Sequence, residues 1–167
     1  MPAVPDPSTS PPLIEQVADA FRAAGWAFRP VDGRPVVESE FEAHHTKVAL
    51  HVQAFDELGA LSVVARLSFP VALASLAAAN EAMMRTNLGL SVGNFEADQS
   101  SGEAFFRATN VFPGGRADPS TIASLVRTAV VEVDRITPFL AELNRDPAQS
   151  VPALLAREDL LPDIAEG

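Results

Sequence analysis

Two alternating runs that meet at His44-His45 constrain this chain more than any other feature. In residues 36–43, Val37, Ser39, Phe41 and Ala43 fall on one face while Glu38, Glu40 and Glu42 fall on the other. In residues 46–54, Val48, Leu50 and Val52 share a face opposite Lys47, His51 and Gln53. Side chains alternate across a strand, so a period of two over both runs predicts two half-buried strands paired as an antiparallel hairpin. With a two-residue loop, Glu42 faces Lys47 and Glu38 lies across from His51, pairs worth roughly 0.2–1 kcal/mol each. Residues 56–59 then read as a turn, and residues 60–67 as a further strand with Leu61, Val63, Ala65 and Leu67 on one face.

Helices frame these strands. Ser10 is a candidate cap ahead of Pro11 and Pro12, Leu13, Val17, Phe21 and Ala24 follow at helical spacing, and Gly25 is a stop. Residues 26–30 predict a short strand ending at the Asp32-Gly33 turn. Pro70 opens a second helix running to about Thr86. Residues 90–98 and 103–111 predict two strands around a turn at 99–102. Asp118 caps a long helix with Pro119 at its first position. On it Ile122, Val126, Ala129, Val133, Ile136, Leu140 and Leu143 form one apolar stripe. Pro138 lies inside that helix and leaves the Asp134 carbonyl without a donor, which predicts a bend. The order α-β-β-β-β-α-β-β-α, with hairpin connections, predicts an α+β fold. Its antiparallel sheet of five to six strands is flanked by helices. Residues 1–9, rich in proline and serine, predict a disordered tail, residues 10–145 one domain, and residues 146–167 an acidic tail.

The totals narrow the function classes. The chain has 167 residues, 47% of them hydrophobic, so it can bury a substantial core. It has no cysteine, which excludes disulfides and thiol chemistry. A net charge of −10 repels phosphate backbones and anionic membranes, and Lys47 is the only lysine. No apolar segment is long enough for a signal peptide or a membrane span, so the expected location is the cytoplasm.

Gly89-Leu90-Ser91-Val92-Gly93 matches the G-x-S-x-G pattern of serine hydrolases. That pattern needs a strand before the serine and a helix after it. Here a helix precedes Ser91 and a strand follows, and His44, His45 and His51 all lie upstream. The structural reading has Gly89 ending a helix in a left-handed conformation and Gly93 permitting a bend or a close backbone approach. The two turn histidines should point apart, and His51 lies about 17 Å along the next strand, so no shared metal is expected. Residues 98–103 resemble a calcium loop only superficially. Residues 113–116 could offer amides to an anion, but Asp118 is better placed to accept them. No catalytic residue, cofactor or metal is expected.

The segment LAAANEAMMRTNLGLSVGNFEADQSSGEAFFRATNVFP resembles the YbjN-like family, whose domains share a fold with type III secretion chaperones. The resemblance rests on Asn80 and Asn87 on a helix, then Gly93, Phe95 and Asp98, the turn, and GEAFFRA. A long last helix with Asp134 and Pro138 also fits, and the whole resemblance spans residues 13–143. It implies a five- or six-stranded antiparallel sheet flanked by helices, often a homodimer, a loose role in sensory transduction regulation, and no catalytic residues. The related chaperones are small acidic dimers that hold extended segments of partner proteins.

Two surfaces are singled out. On the second helix Leu73, Leu76, Asn80, Met83 and Asn87 recur at spacings of three and four, placing two amides on an apolar stripe. Either the amides bond to nearby backbone, or the stripe meets a partner helix as a homodimer seam of Leu73, Leu76, Asn80 and Met83. Phe106 and Ala108 point toward the long helix. Phe55, Val64, Phe105 and Arg107 should therefore lie on the opposite sheet face beside the three glutamates, as a candidate protein-binding patch. The competing possibility is that the C-terminal tail or a dimer mate covers this face. The function expected is a non-enzymatic interaction module, chaperone-like or regulatory. The alternative is a small-ligand-binding or enzymatic protein whose pocket the sequence hides.

Overall fold

The computed structural model describes residues 10–160; the tail expected at residues 1–9 lies outside them. The elements are α1 (Leu13–Ala24), β1 (Arg29–Pro30), β2 (Val36–Glu42), β3 (Lys47–Phe55), β4 (Ala60–Arg66), α2 (Leu76–Asn87), β5 (Asn94–Ala97), β6 (Ala104–Val111), α3 (Pro119–Arg145) and α4 (Val151–Leu155). The strands form one antiparallel sheet in the order β1-β2-β3-β4-β6-β5. The expected fold class and element order are shown, with six strands rather than five.

The β2–β3 register pairs Glu42 with Lys47 and Glu38 with His51, as the alternation predicts. Residues 43–46 close the turn through Ala43 N–H donating to the Thr46 carbonyl at 2.9 Å. Val37, Val48, Leu50, Val52, Leu61, Val63, Ala65, Phe106 and Ala108 are all buried on one face. α3 crosses that face over β3, β4 and β6 and packs on α1. Among the described residues no helix lies on the other face, where Glu40, Lys47, Ala49, Arg66 and Thr109 are exposed.

Several boundaries differ from expectation, each for a local reason. α1 is capped not by Ser10 but from a distance: Leu13 N–H donates to Asp56 Oδ1 at 2.8 Å, while Ser10 Oγ accepts from Arg116 Nε. β1 is only two residues long because Trp26 and Phe28 turn in to pack edge-on against Phe21, at ring separations of 5.3 and 5.7 Å. Pro70 does not start α2. Val71 N–H is drawn to the Gly102 carbonyl at 2.7 Å, and a 3₁₀ turn at Leu73–Ser75 precedes the α-helix. β5 begins at Asn94 rather than Leu90 because Gly93 has φ +76°, which extended backbone cannot accommodate. Gly89 is not left-handed; α2 ends with Leu88 at φ −62°, and Gly89 N–H donates to the Thr86 carbonyl.

α3 starts as predicted, with Asp118 accepting from Thr121 N–H at 3.0 Å, and stays α-helical through Pro138. The stretch read as a tail contributes α4, which packs against α2 and buries Val151 and Leu154 in the core.

Candidate protein-interaction face

Strand pairing sets the open face out in rows. One row runs Arg29, Glu38, His51, Val64, Arg107, Asn94; the next runs Glu40, Ala49, Arg66, Phe105, Glu96. Val64, Phe105 and Arg107 are therefore brought together near the middle of the sheet. Phe55 shares the face but sits four residues along β3 from His51, about 13 Å at strand rise. There it pairs across to Ala60, which in turn faces Val111, and Phe55 and Val111 are both exposed at that end.

The central patch is less apolar at its surface than the pattern suggests. Val64 is only 4% exposed, because the long side chains of its row neighbours His51 and Arg107 stand on either side. Arg107 is already held: Nε reaches both Glu96 carboxylate oxygens at 3.0 and 3.2 Å, Nη2 donates to Oε2 at 3.2 Å, and Nη1 donates to Ser62 Oγ at 3.4 Å. Arg66 lies over the Phe105 ring, 5.6 Å from its centroid, and pairs with Glu103 at 3.4 Å. Arg29 pairs with Glu38, and Lys47 with Glu42. These pairs set the titration behaviour. The Arg107 bond holds Glu96 below the usual carboxylate range, and the Arg29 bond does the same for Glu38. Burial, then Arg107 and Arg66, push His51 below the ordinary imidazole value. A depression of about 500 Å³ opens between the 27–29 segment and this face, with Val64 and Ala49 in it and Glu38, Glu40, His51 and Arg66 around it.

On α2 the side-chain directions correct the expected seam. Leu76 and Met83 are 8% and 3% exposed and belong to this chain's own core, whereas Leu73 is 69% exposed. The outward apolar residues of α2 and its two flanks are Leu73 in the preceding 3₁₀ turn, Met84, and Leu88 at the C-terminal cap. Leu76 and Met83 stand seven apart, a spacing that keeps them on one face of a helix, whether that face meets the core or a second chain.

The two amides act within the chain. Asn87 Oδ1 accepts from Phe95 N–H at 2.7 Å and its Nδ2 donates to the Phe95 carbonyl at 3.2 Å. Phe95 faces β6 residue Phe106 as a non-bonded pair, so its own N–H and C=O point away from β6 and Asn87 satisfies both, as another strand would. Asn80 and Gln99 exchange bonds at 2.9 and 3.3 Å, and Gln99 Nε2 donates to the Ala97 carbonyl at 3.3 Å. Side-chain amides thus satisfy Phe95 N–H and C=O and the Ala97 carbonyl along the free edge of β5.

Ser91 is exposed beside a space of about 410 Å³ whose lining holds no histidine and no carboxylate, so nothing there can act as its base. His44 and His45 do not point apart; their rings meet at 4.5 Å. His45 is pinned to α3, its N–H donating to Asp134 Oδ1 at 2.6 Å and its Nδ1 lying 3.1 Å from Oδ2. Sequence reasoning missed this contact. Its only signal is an acid placed next to Val133 in the apolar stripe.

A family model described as "YbjN: Putative bacterial sensory transduction regulator" matches residues 13–142. No curated protein matches the sequence. Among solved structures, one described as "Crystal structure of YbjN, a putative transcription regulator from E. coli" is similar at TM-score 0.56 and 9% identity, covering 80% of this chain and 92% of that one. The "Crystal Structure of the ExsC-ExsE Complex" gives 0.52 and 13%, covering 77% and 92%. The "Structure of the HopA1-SchA Chaperone-Effector Complex" gives 0.50 and 14%, covering 75% and 93%. The fold is therefore the chaperone-like one that the resemblance implied.

Proposed function

The chain belongs to the YbjN family over residues 13–142, and on that premise we propose that it is a non-enzymatic protein-interaction module, chaperone-like or regulatory. It binds a segment of a partner protein on the open face of its sheet. One observation carries this reading: among the described residues, helices cover the six-stranded sheet on one face only, with Phe105, Val64 and a depression of about 500 Å³ on the other. The described part of the C-terminal stretch packs on α2 and leaves this face open. Two similar structures are complexes, one described as chaperone with effector, which supports a protein partner. Around the depression Arg29 pairs with Glu38, Arg66 with Glu103 and Glu40 with Lys47 rather than converging on a ligand, which disfavours the small-molecule alternative.

The test is retention of proteins from native extract by wild type, by Phe105→Ala and by Leu88→Asp. A protein held by wild type and Leu88→Asp but lost by folded Phe105→Ala supports the face. Equal retention by all three refutes it.

A homodimer is the second part of the reading, with Leu73, Met84 and Leu88 on the outer side of α2 as its seam. Light scattering at micromolar concentration should show a dimer that Leu88→Asp dissociates; a wild-type monomer refutes it. We place the protein in the cytoplasm; no described helix is long and apolar enough to cross a membrane.

A further inference from the structure

Among the described residues, no strand pairs with the end of β6 beyond Arg107 on its β5 side. β5 pairs with β6 only from Ala97↔Ala104 to Asn94↔Arg107, because Gly93 at φ +76° carries the chain off the sheet. β6 continues to Val111. Backbone groups alternate in direction along a strand, and Phe112 N–H donates to the Gly59 carbonyl while Leu67 N–H donates to the Ala104 carbonyl. Even-numbered residues of β6 therefore bond toward β4, and Thr109 and Val111 present N–H and C=O on the other side. The Val111 N–H is taken by its neighbour's side chain, Asn110 Oδ1, at 3.0 Å. Among the described residues no backbone bond joins residues 91–93 to Thr109. Among the described residues, the Thr109 N–H and C=O thus stand together in mid-strand without a partner.

The space beside them is the 410 Å³ cleft that borders Ser91. Residues 91–93 form one wall, and Thr121, Ser124, Leu125 and Thr128 of α3 form the other. Hydroxyls and aliphatic carbons line it, with no charged side chain, in a chain of net charge −10. The other lateral edge differs: past Pro30, β2 carries Glu40 and Glu42, acids of the kind that keep foreign strands off.

We infer that this cleft is a strand-addition site, taking a short, uncharged, extended polypeptide segment that pairs with Thr109 as β5 would if it continued. The backbone groups require a main chain as partner, since one residue of an added strand supplies both complements. The lining requires small hydroxyl or aliphatic side chains, because a buried charge would find no counter-charge there. The inference rests on the partner being an extended polypeptide, but it places a second, separate contact away from the open face.

Backbone amide exchange on the full-length protein tests it. In the free protein Thr109 N–H should exchange far faster than Ala108 and Asn110 on either side. The probe is the blocked pentapeptide acetyl-Ser-Val-Thr-Val-Ser-amide. It should slow Thr109 exchange and shift the Thr109 and Ser124 signals, while its fully N-methylated form should not. Ser124→Arg, an exposed helix position, should fill the cleft and weaken the probe about tenfold, the equivalent of about one good hydrogen bond; Thr128→Arg repeats the test if that variant misfolds. Thr109 as protected as Ala108 in the free protein overturns the inference, whether its own loop or a second copy of the chain covers it. So does an absence of binding. Probe shifts at His51, Val64 and Phe105 instead of Thr109 overturn it while leaving the open face standing. Loss of partner binding in Phe105→Ala bears only on the open face.

Discussion

Asn87→Ala isolates the device that closes the β5 edge. The substitution removes the acceptor for Phe95 N–H and the donor to its carbonyl from a half-buried position. Each hydrogen bond contributes about 0.5–1.5 kcal/mol net, so the pair is worth about 1–3 kcal/mol. Water reaches the site, which places the expected loss in the lower half, about 1–2 kcal/mol. At about 2–4 °C per kcal/mol for a domain of this size, Tm falls by about 2–8 °C. Asn87→Asp keeps the acceptor but turns a second oxygen on the Phe95 carbonyl, so it should cost at least as much. Asn80→Ala removes only an exposed amide pair with Gln99 and should stay within about 0.5 kcal/mol.

Urea unfolding gives the energies, and the exchange rate of the Phe95 amide reports the edge itself. It should rise in both Asn87 variants and stay near wild type in Asn80→Ala. The reasoning fails if Asn87→Ala is silent in both measurements. It also fails if Asn80→Ala is the more costly of the two, the order expected were α2 a seam built around Asn80.

The two glycines of the hydrolase-like motif should respond differently. Ala at Gly93 would place Cβ 2.4 Å from Phe106 Cζ and 2.7 Å from the Arg107 carbonyl oxygen in left-handed backbone, a loss of about 2–5 kcal/mol by thermal unfolding. Gly89→Ala, which meets only the Thr86 carbonyl at 3.6 Å, should change stability by under about 0.5 kcal/mol. Asp134→Ala leaves both His45 groups without their acceptor and should cost about 2–4 kcal/mol, with faster exchange of the His45 amide. His51 in the folded chain titrates below its ordinary value of 6.5. The unfolded chain therefore takes up its proton first as pH falls, and the stability His51 contributes is intact above pH 6.5 and lost below it. Unfolding midpoints from pH 7.5 to 5 should decline in wild type and decline less in His51→Gln.

The hairpin was legible because two signals agree. The period of two fixed which residues of β2 and β3 face inward, and the Glu42–Lys47 pair fixed the register. α3 was legible through Asp118, Pro119 and a stripe that a helix alone can align. The failures share a cause in contacts between residues far apart in sequence. Nothing near Pro70 shows that Val71 is claimed by Gly102, and nothing near Ser10 shows that Asp56 caps α1. Alternation placed Phe55, Val64, Phe105 and Arg107 on the correct face, but it carries no information on spacing across strands. Only the β3–β4–β6 order separates Phe55 from the others. Likewise the spacing of Leu76 and Met83 defines a face of α2 without saying what lies opposite.

The open face and the edges answer one physical problem in different ways. A sheet covered on one side exposes side chains on the other and backbone groups at its ends, and both attract other chains. On the face, cations are matched to anions across neighbouring strands, Arg29 with Glu38 and Arg107 with Glu96. A partner laid over Phe105 then meets charges already neutralised and held in place. Little side-chain order remains to be imposed on this side of the interface, so more of the apolar contact appears as affinity. At β5 the asparagine and glutamine amides occupy the backbone groups. At Thr109 neither device is present. A chain that meets the edge of β5 with two side-chain amides, Asn87 and Gln99, and leaves Thr109 of the adjoining β6 bare has left unpaired backbone where an extended ligand can use it.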